Sequence, residues 1–188
     1  MSLWGATDSD ESKPKNLTTA EKKEVFASAK GWVREAGSIL SGNDNTNATP
    51  EVLVALRGLA TKLGVADITS IDFNITAFDK SDGGTLSVTA RFNEAVDVTG
   101  TPQLTVVNDN NANHTLSYAS GTCTNELIFT LVIGANNSAT DAGDVLSIGA
   151  NAMALNGGTV KDAGTTDNAT ITNSAAIGTA AGTITVTA

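Results

Sequence analysis

The sequence predicts a mainly β protein whose bulk is a β-sandwich over residues 68–173, and three observations carry that expectation. Between Ile68 and Asp167 apolar residues alternate with Thr, Ser and other polar residues at a period of two, as in TLSVTARF and NELIFTLVI. Short clusters rich in Gly, Asn and Asp separate these runs, where turns need left-handed backbone. The chain is 40% hydrophobic but only 4% aromatic, so its core is built from Val, Ile, Leu and Ala. That composition suits thin packed layers better than a large ligand cavity.

Residues 1–17 are polar, contain Pro14 and lack periodicity, which predicts an extended N-terminal arm. Leu3 and Trp4 are its apolar exceptions, suited to anchoring on a partner. Residues 18–67 read as a small α/β docking region. Thr18-Thr19-Ala20-Glu21 has capping-box spacing, and a helix is expected from about Thr19 to Lys30. Gly31 ends that helix, and Gly31-Trp32-Val33-Arg34 opens a more extended segment. Residues 41–47 form a loop. For residues 51–63 two readings stay open: a helix capped by Thr49 with Pro50 at its first position, or a strand over Glu51-Val52-Leu53-Val54-Ala55.

From Ile68 onward the inward positions are Ile71, Phe73 and Ile75, then Leu86, Val88, Ala90 and Phe92, then Leu127, Phe129 and Leu131. Turns are expected at 81–84, 108–111 and 156–158. Residues 174–188 form a C-terminal strand or tail, with Ile184 and Val186 in Gly182-Thr183-Ile184-Thr185-Val186-Thr187. A terminal strand pairs either with its own sheet or with a neighbouring subunit, which makes a homo-oligomer an expectation.

Several classes of function find little in the sequence to support them. The net charge of −9 is uneven: residues 1–67 hold 8 Lys/Arg against 9 Asp/Glu, and residues 68–188 hold 3 against 11. So acidic a C-terminal part repels nucleic acid. No apolar run is long enough for a membrane span, and the first residues lack a basic segment followed by an apolar one, so use without export is expected. Cys123 is the only cysteine, so stability must come from packing. His114 is the only histidine and is expected to face solvent from a strand, with Cys123 in a turn. A relay between them is conceivable because both flank one hairpin, yet an activated thiol needs an electropositive setting and this region is acidic. Phosphate-binding loops and aromatic-lined carboxylate clefts are missing. No enzyme activity and no cofactor are expected. Among oxygen-rich loops, Asp109, Asp141 and Asp144 are weak candidates for Ca²⁺, though none has the twelve-residue EF-hand spacing.

One likeness adds to these readings. The blocks FNEAVDVTGTPQLTV, SYASGT followed by NELIFTLVI, and LNGGTVKDA resemble bacterial immunoglobulin-like repeats of large surface adhesins and phage virion proteins. They cover under half the chain and occur once, whereas adhesin stalks repeat them in tandem. MSLWG, Gly31-Trp32-Val33 and Glu51-Val52-Leu53-Val54-Ala55 look like the opening of structural proteins from tailed marine phages of the cyanophage type. In those relatives the last two segments tend to be strands. The resemblance implies an immunoglobulin-like β-sandwich in a virion structural protein, assembled in the host cytoplasm, with the major capsid protein or other virion proteins as partners. Its specific form is a capsid decoration or minor capsid protein. The alternatives are a tail, neck or baseplate component touching host surface glycans, or a bacterial adhesin module. Docking is expected to use Leu3, Trp4, Trp32, Val33, Ile184 and Val186.

Overall fold

The computed structural model describes residues 13–42 and 44–188, so Leu3 and Trp4 lie outside the described residues. The capping box forms as its spacing requires. The Thr18 N–H donates to Glu21 Oε2 at 2.8 Å, and the Glu21 N–H donates to Thr18 Oγ1 at 3.3 Å. The helix it starts, α1 (Thr19–Lys23), ends after one turn rather than near Lys30. The expected longer helix is therefore corrected. Val25, Phe26 and Ala27 are all buried in β1 (Val25–Ser28), which forms an antiparallel hairpin with β2 (Gly31–Arg34). A consecutive run buried on both faces gains more from pairing than a helix with one buried face would give it.

Gly31 belongs to that hairpin instead of capping a helix. Its φ is 128°, and a Cβ there would lie 2.1 Å from the Val54 carbonyl oxygen. Only glycine admits so close a strand. The neighbour is β3 (Glu51–Ala55), antiparallel to β2, so the strand reading of residues 51–55 holds and the helical one does not. Val25, Ala27, Trp32 and Leu59 form a small separate core, with Leu17, Leu53, Val54, Leu56 and Leu63 packed against it.

The remaining strands are β4 (Ile68–Phe73), β5 (Phe78–Asp79), β6 (Gly84–Thr99), β7 (Gln103–Asn108), β8 (His114–Ser120), β9 (Thr124–Ile133), β10 (Val145–Ala154), β11 (Thr159–Asp162) and β12 (Thr183–Thr187). The fold is mainly β, with mixed pairing in the order β3-β2-β1-β6-β9-β8-β7-β10-β12-β5, while β4 and β11 also pair with β6. β6 is the spine. Its first half lies against β4 and β9 and its second against β11, and Ala27 of β1 meets Glu94 in parallel register. Alternate side chains of β6 at Leu86, Val88, Ala90 and Phe92 are fully buried, as the period of two requires. With Leu104, Leu116, Leu127, Phe129 and Leu146 they form the main core.

A short helix at the C-terminal end was not foreseen: α2 (Ala175–Ala180), capped by Ser174. A Cβ on its Gly178 would lie 2.3 Å from the Ile148 carbonyl, so the glycine lets α2 sit directly on β10. β12 then pairs with β10 in antiparallel register and with β5 in parallel register. The terminal strand thus completes this chain's own sheet, and Ile184 and Val186 belong to the main core.

Candidate functional site

Four of the residues expected to dock a partner are enclosed by their own chain. Trp32 sits in the small core, Val33 is buried in β2, and Ile184 and Val186 fill the main core. A partner does not meet their side chains in this conformation. Leu3 and Trp4, the other two residues expected to dock, lie outside the described residues.

The polar chemistry gathers in three places, and the first holds the calcium candidates. Asp144 is buried at the base of the 108–111 and 137–144 loops. Burial opposes its charge, yet the Asp141 N–H and the amides of Asn108, Asn111 and Asn110 donate to it and hold its carboxyl down at about 2. Asp109 Oδ1 accepts from the Val145 N–H at 2.8 Å, and Asp141 pairs with Lys80 and accepts from Asn111. These carboxylates tie loops together through N–H donors. Among the described residues, no three His, Cys, Asp or Glu side chains converge as a metal-binding group.

His114 adjoins this knot. It is 5% exposed, with Nε2 3.3 Å from Thr140 Oγ1, so the expectation of a solvent-facing histidine is corrected. Burial lowers its pKa while Asp144 pulls the other way. The parity of β8 explains its position: His114 shares the inward face with Leu116. Cys123 is exposed in a turn at φ 65°, beyond the opposite end of β8. Its thiol donates to Asp97 Oδ1 at 3.1 Å, which raises its pKa.

The second place is the seam between the N-terminal strands and β6. Arg91 reaches three carboxylates on three segments: Asp72 at 3.2 Å, Glu126 at 2.6 Å and Glu35 at 3.7 Å. Lys23 adds a second cation on Asp72. Burial, then the charge of Glu126, pushes the Glu35 carboxyl up to about 7 against the pull of Arg91 and the Asn125 amide. Burial brings Lys13 down to about 8, with Glu35 opposing the change. A cavity of about 470 Å³ lies beside Glu35 and Glu126, bordered by Phe26, Pro50, Cys123 and Ile128.

The third place is the far end of β6. Glu94 is 1% exposed and Asp162 fully buried; Glu94 Oε1, Glu94 Oε2 and Asp162 Oδ2 have no hydrogen-bond partner. Burial, with Asp162 and then Asp67 adding to it, pushes Glu94 up to about 8. Asp162 Oδ1 accepts from the Gly164 and Thr165 N–H groups at 2.6 and 3.0 Å.

Glu35, Arg91, Glu94 and Asp162 were not among the residues expected from sequence to carry function. For Glu94 a signal existed: it continues the inward parity of Leu86, Val88, Ala90 and Phe92, where a carboxylate is out of place. The Arg91 cluster had no such signal, because its members lie far apart along the chain.

No family model, no curated protein and no solved structure matches the chain.

Proposed function

We propose that this chain is a non-enzymatic structural protein of a tailed-phage virion, in its specific form a capsid decoration or minor capsid protein that displays an immunoglobulin-like β-domain. One observation carries the proposal: the blocks that resemble immunoglobulin-like repeats coincide with the strand changes that build the domain. FNEAVDVTGTPQLTV runs from β6 into β7, SYASGTCTNELIFTLVI is the β8–β9 hairpin, and LNGGTVKDA carries the chain from β10 to β11. The first and third cross from one set of partners to another, and their turns pack together. Asn156 Nδ2 donates to the Thr101 carbonyl, the Thr99 and Thr159 hydroxyls lie 2.7 Å apart, and a Cβ on Gly100 would be 2.8 Å from Gly158. In this reading the likeness is one of architecture, with each motif residue serving a crossover.

The charged groups support the same proposal. The Asp144 knot joins two loops, and the Arg91 cluster fastens the N-terminal strands to the main body. The domain's aromatics are engaged in packing: Phe78, Phe92 and Phe129 are buried, Tyr118 meets Phe129 edge-on at 6.1 Å, and the Tyr118 hydroxyl accepts from the Thr122 N–H. A glycan-contacting tail protein would draw on exposed aromatic faces instead. The acidic exterior of residues 68–188 keeps a domain soluble when many copies are displayed together.

Attachment in this proposal belongs to residues 1–17, with virion proteins as partners. Deleting residues 1–12, which leaves Lys13 on the Lys22 carbonyl and Leu17 against the small core, is expected to abolish binding to particles while the remainder keeps its folded circular dichroism spectrum. Retained binding by the folded deletion variant would remove the arm from the account.

A further inference from the structure

We propose that Glu94 and Asp162 hold a hard divalent cation, Ca²⁺ or Mg²⁺, at the junction of β1, β6 and β11. The register places them together. Val96 of β6 is opposite Asp162 of β11, and Glu94 lies two residues before Val96, on the same inward row. Diagonal neighbours of this kind in an antiparallel pair stand roughly 7–8 Å apart at their Cα atoms, so their carboxylates can share one ion.

Three features point to a ligand at this place. Buried carboxylate oxygens are normally paired, yet both oxygens of Glu94 and one of Asp162 are not. Asp162 is held in orientation by the Gly164 and Thr165 N–H groups on Oδ1, which leaves Oδ2 for another partner. Glu94 borders a cavity of about 310 Å³ lined also by Ser28, Thr61, Ala163 and Gly164. At roughly 30 Å³ per water, that volume has room for several water molecules. Two carboxylates with water at the remaining positions suit an oxygen-seeking cation and offer nothing to a thiophilic one. The ion would tie β6 to the 162–165 turn beneath Ala27 of β1, where the small core meets the main body.

The test uses the full-length chain freed of metal, titrated with CaCl₂ and separately with MgCl₂, followed by calorimetry and thermal melting. One of the two salts is expected to bind with one ion per chain and to raise the melting temperature by several degrees. Glu94→Gln and Asp162→Asn keep the shape and remove the charges, and each is expected to weaken binding about tenfold or more. Asp144→Asn serves as the control for the oxygen-rich loops and should bind as the parent chain does. No binding of either salt to the parent chain would overturn the proposal. So would binding that survives Glu94→Gln and Asp162→Asn but is lost in Asp144→Asn.

Discussion

At Glu35, burial and the adjacent Glu126 outweigh Arg91, so the folded chain holds a proton there that the unfolded chain releases near pH 4.5. The folded state then binds more protons between about 4.5 and 7, and stability falls as pH rises through that window. Glu35→Gln removes the ionisation. The variant should gain on the order of 2 kcal/mol over the parent at pH 8 and little at pH 4, by chemical denaturation at each pH. Asp144 has the opposite sign. Its carboxyl is held at about 2, so its contribution is present above about pH 4 and is lost as pH falls toward 2. Asp144→Ala leaves the amides of Asn108 and Asn111 without their acceptor. A loss of about 2–3 kcal/mol at pH 7, with a flatter acid limb, is the expected outcome in the same measurement.

Among the elements, the sharpest dependence is where β2 meets β3. Gly31→Ala places a methyl group against the backbone of Val54 and Leu56 at a φ that other residues rarely adopt. A loss of more than about 2 kcal/mol is expected, along with greater hydrogen exchange in β3. At the other end, truncation after Asn173 removes α2 and β12 and uncovers the side of the core that Ile184 and Val186 fill. Burying each of those side chains contributes roughly 1.5–3 kcal/mol, so the truncated chain should lose its cooperative melting transition. A folded truncation with altered subunit number would instead assign β12 to pairing between chains. These elements also show what the sequence made legible. Alternation in β6 announced a strand and its inward face, the apolar run of β9 announced a second strand, and Thr18 with Glu21 announced a helix start. The helix end was hidden because Val25-Phe26-Ala27 fits either state locally, and pairing with distant β6 decides it. The Arg91 cluster was hidden for a related reason: Glu35, Asp72 and Glu126 meet only after β4, β6 and β9 are aligned.

Across the whole molecule, two unequal cores meet where β1 pairs with β6, and polar contacts fasten one to the other. The small core, around Trp32 and Leu59, closes over the N-terminal strands, while the main core holds β4 to β12 together. In the proposed account the main body is displayed and the N-terminal arm attaches it. The strand order ends at β3, whose Val52 is 43% exposed, and at β5. The most direct test is to locate this chain in purified particles by electron cryo-microscopy, with copy number from quantitative mass spectrometry. The account predicts many copies per particle, with density on the capsid surface that fits the β-domain. Absence from the particle, or a handful of copies confined to the tail, would contradict it.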